Sequence, residues 1–135
     1  MKKITVNHTP VSASRPRVTQ YGTFYLKKYN DYRKLLKKEF SSINFDCDKE
    51  KKYLKLTIKF YIPIPKSYTK KRREEIKEIK YLHNIKPDLD NLLKAILDGM
   101  NENYYKDDAE ICILNSEKYY TEDLIGRTEI VIEEI

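Results

Sequence analysis

The stretch KYLKLTIKFYI, residues 52–62, decides how the rest of the chain can be arranged. Leu54, Leu56, Ile58, Phe60 and Ile62 alternate with Lys55, Thr57, Lys59 and Tyr61. Successive side chains of a strand point to opposite faces, so this is a strand with one buried and one polar face. Pro63 and Pro65 stop it, because proline has no N–H to give to a ladder. A half-buried strand needs an apolar layer beneath it, and the flanking sequence supplies helices.

Upstream, Tyr32, Leu35, Leu36, Glu39 and Phe40 follow the spacing of one helix face, with Asn30 or Asp31 placed to cap it. Before that helix, TPVSASRPRVTQYGT (residues 9–23) holds Pro, Ser and Gly and reads as a loop or open hairpin. KKITV (residues 2–6) alternates as a strand does. Downstream, Ser67 can cap a charged helix over 68–82, whose apolar marks are Ile76, Ile79 and Leu82. After HNIKPDLD (83–90) a second helix carries Leu92, Leu93, Ile96, Leu97 and Met100 on one face. Asp90 is its expected N-cap, and Gly99 weakens its last turn. Residues 109–120 and 127–132 read as strands, with Ile111 and Ile113, then Ile130 and Ile132, on alternating positions. The order β–loop–α–β–α–α–β–β predicts an α+β fold: one compact domain with a mixed, largely antiparallel sheet packed on helices.

The 135 residues suit one domain, and no repeat or Ser/Gly linker divides them, so 1–135 is read as a single domain. Leu, Ile, Val and Phe number 12, 15, 4 and 4, enough apolar content to exclude a disordered chain. No apolar run approaches the roughly 18 residues of a membrane span. The start, MKKITVNHTP, lacks an apolar signal core, and Cys47 and Cys112 form no disulfide framework or metal spacing. A reducing, cytoplasmic setting is the expectation.

Charge is unevenly placed. Residues 1–80 carry 22 Lys/Arg against 8 Asp/Glu, whereas residues 81–135 carry 5 against 13, giving +14 and −8. That split suggests a basic surface for a polyanion beside a separate acidic site. Lys66, Lys70, Lys71, Arg72 and Arg73 place five cations within eight residues, at a helix start where they oppose the dipole, so an external anion fits there. Arg15 and Arg17 flank Pro16 on the predicted loop, and arginine forks match phosphates. Lys27, Lys28 and Lys86 are weaker additions, and some of the 12 tyrosines could stack on unpaired bases.

The acidic site is the sharper signal. Asp88 and Asp90 stand two apart, Lys94 lies four beyond Asp90, and Asp107-Asp108 precede a strand. In an extended segment Asp88 and Asp90 point the same way, and Asp90 and Lys94 share a helix face. Asp107 and Asp108 could return to the same place. Two like charges about 4 Å apart repel by roughly 4 kcal/mol at an effective dielectric of 20. A hard cation relieves this, and oxygen-only ligands favour Mg²⁺ or Mn²⁺ over zinc. Taken singly, Asp90 also fits a helix cap and Asp107-Asp108 a turn.

KPDLDNLLKAILDGMNENYYKDDAEI (residues 86–111) resembles the central signature of the RusA family of Holliday junction resolvases, endodeoxyribonucleases often carried by phages and prophages. The family pattern is roughly D-x-D-N-x-x-K, an amphipathic helix, then D-D before a strand. SRPRVTQYGTFYLKKY (14–29) is similar to the family's R-P-R segment, and IPIPKSYTKKRRE (62–74) to its strand end and basic helix. The resemblance implies Asp88, Asp90 and Asp108 as metal-binding carboxylates and Lys94 as the catalytic lysine. Asp107 is the ambiguous neighbour of Asp108, and Asn91 supports the ligands. It also implies Mg²⁺ (or Mn²⁺) as cofactor, a homodimer, a four-way DNA junction as substrate in recombination or repair, and products with 5′-phosphate and 3′-hydroxyl ends. Arg15, Arg17, Lys66, Lys70, Lys71, Arg72, Arg73 and Lys86 are the expected DNA contacts. The alternatives are a metal-dependent nuclease for other branched DNA and a DNA-binding module without catalysis. A small-molecule phosphohydrolase is poorly served by so large a basic excess.

Overall fold

The computed structural model describes residues 1–14, 17–24, 26–41, 52–101, 105 and 107–135; for 17, 23 and 24 it describes the backbone. Strand β1 (Lys2–Val6) is followed by the short strands β2 (Arg17–Thr19) and β3 (Gly22–Phe24) and by helix α1 (Lys27–Ser41). Then come β4 (Leu54–Pro63), α2 (Lys70–Glu78), α3 (Leu89–Met100), a 3₁₀ turn (Asp108–Glu110), β5 (Ile111–Thr121) and β6 (Arg127–Glu134). The fold is α+β. Four strands form one mixed sheet in the order β1-β6-β4-β5, and β2 and β3 make a separate hairpin. β6 runs antiparallel to both β1 and β4, and β4 runs parallel to β5.

The alternation in β4 is what builds the core. Leu54, Leu56, Ile58 and Phe60 are wholly buried. They meet Ile4 and Val6 of β1, Ile130 and Ile132 of β6, Tyr32, Leu36 and Phe40 of α1, and Leu92, Ile96 and Met100 of α3. Each such side chain contributes about 1.5–3 kcal/mol on burial. Gly99 sits where α1 crosses α3: a Cβ there would lie 3.1 Å from Phe40 and 3.2 Å from Leu36. The glycine is thus the point of close helix approach, besides weakening a helix turn. The other face of β4 is half-buried and polar. Lys55 pairs with Glu133 at 3.9 Å and Lys59 with Glu117 at 3.7 Å across the strands. Screened by solvent, such pairs contribute at most about 1 kcal/mol each.

Element ends depart from the sequence reading for physical reasons. α1 begins at Lys27, and the Asn30 N–H already donates to the Leu26 carbonyl at 2.9 Å, so Asn30 and Asp31 lie inside the helix and do not cap it. α2 is capped by Thr69, not Ser67; its hydroxyl accepts the Arg72 N–H at 3.2 Å. α2 ends at Glu78 rather than 82, and Ile79 and Leu82 stay exposed. The cause is the free edge of β5. The Tyr120 N–H donates to the Tyr81 carbonyl (2.7 Å) and the His83 N–H to the Lys118 carbonyl (3.1 Å), which takes residues 81–83 out of the helix. The N-cap of α3 is Asp88, not Asp90; its backbone is extended, and its carbonyl accepts the Leu92 N–H at 3.1 Å. Among the described residues no helix is long and apolar enough to cross a membrane.

Candidate active site

The head of α3 is shaped by the segment before it. Lys86–Pro87 is a cis peptide bond, and Asp88 follows in an extended conformation before the first helical turn. Asp88 and Asp90 are both exposed. The Asp88 carboxylate makes no capping hydrogen bond, so it is not committed to the helix. One oxygen of Asp90 accepts the Asn91 N–H at 3.0 Å. The Asn91 carbonyl accepts the Ala13 N–H at 3.0 Å, which lays the loop leading to Arg15 along the first turn of α3. Arg15 itself and the Arg17 side chain lie outside the described residues. Lys94 is exposed one turn beyond Asp90, and Asp98 stands one turn further on the same face.

Lys118 is a residue that sequence reasoning missed. Its ammonium donates to the Ile85 carbonyl at 2.6 Å and the Pro87 carbonyl at 2.7 Å, clamping the entry to α3 from β5. Burial lowers its pKa, and the negative charge of Asp88 pulls the other way. Beside it His83 is buried, its ring centroid 4.3 Å from that of Tyr120. Burial first, and then the Lys118 charge, push its pKa down to about 4, so the imidazole is neutral at neutral pH. A cation amid the alternation of β5 was the available signal for Lys118, but its partners are more than thirty residues away in sequence.

Asp107 and Asp108 differ in role. Asp107 caps the 3₁₀ turn, its carboxylate accepting the Ala109 N–H at 3.3 Å. Asp108 stands near Tyr105, whose buried hydroxyl donates to the Leu97 carbonyl at 3.0 Å. Partial burial raises the Asp108 pKa; the Tyr105 hydroxyl opposes this, and the charges of Asp98 and Asp107 add to it. Asp108 therefore belongs with Asp98 near the last turns of α3, while Asp88 and Asp90 stand at its head. The seven residue steps from Asp90 to Leu97 rise about 10 Å along the helix. Among the described residues no three His, Cys, Asp or Glu side chains come together to hold a metal. The expected return of Asp107-Asp108 to Asp88 and Asp90 is thus not seen. Because β4 and β5 are parallel, α3 carries the chain back along the sheet, and the 3₁₀ turn with Asp108 lies toward its far end.

The donors at the head of α3 nonetheless suit a hard divalent cation in kind. They are oxygen ligands, and Mg²⁺ is commonly held by one or two carboxylates while keeping water and taking substrate phosphate. The uncommitted Asp88 carboxylate beside Asp90 meets that description.

The predicted cations divide. Arg73 donates to the Tyr68 and Pro65 carbonyls at 3.3 and 3.1 Å, holding the turn between β4 and α2. Arg72 pairs with Glu75 at 3.5 Å and lies over the Tyr68 ring. Lys66, Lys70, Lys71 and Lys86 are exposed and have no ion-pair partner among the described residues. Sequence reasoning also passed over Arg33, Lys34 and Lys37 of α1, which line a cleft of about 440 Å³ with Asp98. Their i, i+1, i+4 spacing was the signal.

Fold and site together define a single-domain α+β protein that presents two exposed aspartates at a helix start, with Lys94 one turn on and Lys118 clamping the segment before them. Over residues 7–133 the chain matches the family model described as Endodeoxyribonuclease RusA, and it belongs to that family. It is also similar to a Bacillus subtilis (strain 168) protein named Uncharacterized protein YqaN, with 35% identity over 82 residues. The match covers 59% of this chain and 56% of the relative, so the chain spans little more than half of that protein's length.

Proposed function

We propose that this chain is a Mg²⁺-dependent DNA endonuclease that resolves four-way junctions as a homodimer. Membership of the endodeoxyribonuclease family supports the chemistry, and the observation that carries the reading is the exposed Asp88 carboxylate, which makes no capping hydrogen bond, at the head of α3 with Asp90 and Lys94. Asp88 and Asp90 would hold the cation; Asp108, which stands with Asp98 toward the other end of α3, is not beside that pair. When bound, Mg²⁺ (or Mn²⁺) supplies Lewis-acid polarisation of a phosphoryl oxygen. Lys94 stabilises negative charge that develops on the phosphoryl group, and its exposure lets it reach the strand. Water adds to phosphorus and the P–O3′ bond breaks, leaving a 5′-phosphate and a 3′-hydroxyl. A four-way junction is close to two-fold symmetric and must be cut twice, which suits two copies related by a dyad. Lys66, Lys70, Lys71 and Lys86 would meet phosphates along the arms.

A DNA-binding module without catalysis is the second reading, favoured by the lack of a three-carboxylate cluster among the described residues. One assay separates the two: nicking of an end-labelled synthetic junction, beside linear duplex, with Mg²⁺ or EDTA. The proposal expects paired, metal-dependent cuts in the junction and little in the duplex. Binding without cutting in Mg²⁺ or Mn²⁺ would establish the module.

A further inference from the structure

The polar face of the sheet ends in a row of three flat groups. Tyr61 of β4 pairs in register with Tyr119 of β5 on one side and with Arg127 of β6 on the other. The two rings are stacked, their planes 23° apart and their centroids 5.6 Å apart. The Arg127 guanidinium lies 3.9 Å from the Tyr61 centroid. Asp123 and Glu129 hold it there, at 3.2 and 3.4 Å. The row borders a cavity of about 420 Å³, whose other walls include Lys59, Lys80 and Tyr81.

Two observations bear on what this row can hold. First, Lys80 and Tyr81 are consecutive left-handed residues, with φ of 58° and 64°. They close α2 in a Schellman turn, in which the Lys80 N–H donates to the Lys77 carbonyl at 3.0 Å, and this turn sets where Lys80 stands. Here hydrogen bonds at both ends of the Tyr81 backbone maintain them: its N–H donates to Ile76 (2.9 Å) and its carbonyl accepts from Tyr120 (2.7 Å). Second, the chemistry of the walls is mixed in one specific way. The half-exposed Tyr119 ring, backed by Tyr61 and Arg127, shares the cavity wall with Lys80, which is exposed and has no ion-pair partner among the described residues. The nearby acids are already engaged: Asp123 and Glu129 by Arg127, Glu122 by Lys77 at 3.7 Å, and Glu117, which lies against the Tyr119 hydroxyl, by Lys59 at 3.7 Å. Flat π faces with an adjacent unpaired cation fit a nucleobase and its phosphate.

We propose that Tyr61, Tyr119 and Arg127 form a stacking platform for an unpaired nucleobase of a DNA strand, with Lys80 facing that nucleotide's phosphate. This rests on the reading of the chain as a protein that acts on branched DNA, where bases at the branch point can leave the stack. Tyr119 directly follows Lys118, and alternation along β5 puts the platform and the clamp on the α3 entry on opposite faces of one strand.

The test uses the full chain in EDTA, so that nothing is cut. A four-way junction carrying one unpaired 2-aminopurine at the branch is compared with a fully paired junction and with linear duplex. The wild-type chain should quench the unpaired 2-aminopurine and bind that junction more tightly than the paired one. Tyr119→Ala should remove the quench and about 5- to 150-fold of that preference, the range for one lost base–aromatic stack, while leaving affinity for linear duplex unchanged. Tyr119→Phe, which keeps the ring, should behave as wild type, and thermal melts of both variants report whether the fold is intact. A folded Tyr119→Ala chain that keeps both quench and preference overturns the platform, whether or not the wild type cuts DNA. Absence of cutting with Mg²⁺ overturns the nuclease reading and leaves a Tyr119-dependent quench standing.

Discussion

Lys118 and Pro87 are thirty-one residues apart in sequence and joined by a single hydrogen bond of 2.7 Å, from the Lys118 ammonium to the Pro87 carbonyl. With the companion bond to Ile85, this cation positions the backbone that presents Asp88. Lys118→Met should leave both carbonyls short of their donor and cost about 2 kcal/mol, several degrees in Tm. Junction cleavage should fall while affinity for the junction stays within a few-fold. Lys118→Arg should recover part of the loss. A methionine variant that melts and cleaves as wild type would show that the α3 entry holds itself.

His83 makes stability fall in mild acid. Its pKa in the fold is pushed down to about 4 from the ordinary 6.5, so the unfolded chain takes up its proton first as pH drops. Stability that is fully present above about pH 6.5 is therefore lost between 6.5 and 4, by about 2 kcal/mol once solvent screening is allowed for. Melting curves of wild type and His83→Asn across that window should converge as pH falls. Parallel curves would mean that the buried ring has no part in the acid response.

Gly126 has no space for a side chain, since a Cβ there would run into the Tyr61 carbonyl. Gly126→Ala should therefore cost about 3 kcal/mol through forced backbone movement. Gly99→Ala meets side chains at 3.1 and 3.2 Å and gains helix propensity in return, so it should cost about 1 kcal/mol or less. Chemical denaturation of the two variants checks the order, and a more damaging Gly99→Ala reverses it.

Several of these features were legible in the sequence and several were not. The alternation of Leu54, Leu56, Ile58 and Phe60 gave β4 and its buried face, and Leu92, Ile96 and Met100 gave the buried face of α3. Both patterns are local, with one side of an element meeting the core. The ends were less legible, because tertiary contacts compete for them. Pairing of residues 81–83 with the edge of β5 ended α2 early, and no helix propensity announces that. At the site, the spacing of Asp88, Asp90 and Lys94 was visible, but the choice of Asp88 as the cap depends on the backbone conformation at that residue. Lys118 and Asp98 escaped notice because their significance depends on partners brought in by folding. The separation of Asp108 from Asp88 follows from the parallel pairing of β4 and β5, and the sequence reading expected a largely antiparallel sheet without specifying which pair is parallel.

The division among the basic residues gives a salt-dependent test. Lys66, Lys70 and Lys71 are exposed without ion-pair partners among the described residues, whereas Arg73 holds two carbonyls. Replacing the three lysines with alanine should flatten the slope of log affinity against log salt by about 2–3 units, the effect of losing three phosphate contacts. Arg73→Ala should lower Tm and change that slope by less than one unit. Equal slopes for the triple variant and wild type would return the lysines to the solvated surface.

The most direct measurement is the rate of cleavage of a labelled four-way junction by wild type and by Asp90→Asn at saturating protein in Mg²⁺. Asparagine keeps the size of the side chain and its acceptor for the Asn91 N–H, and removes the charge that would hold the cation. The account predicts metal-dependent cutting by wild type, a loss of at least about 10²-fold in the variant, and junction affinity equal to or tighter than wild type. Asp88→Asn should behave likewise. Near-wild-type cutting by Asp90→Asn, or equal cutting by wild type in Mg²⁺ and in EDTA, would contradict it.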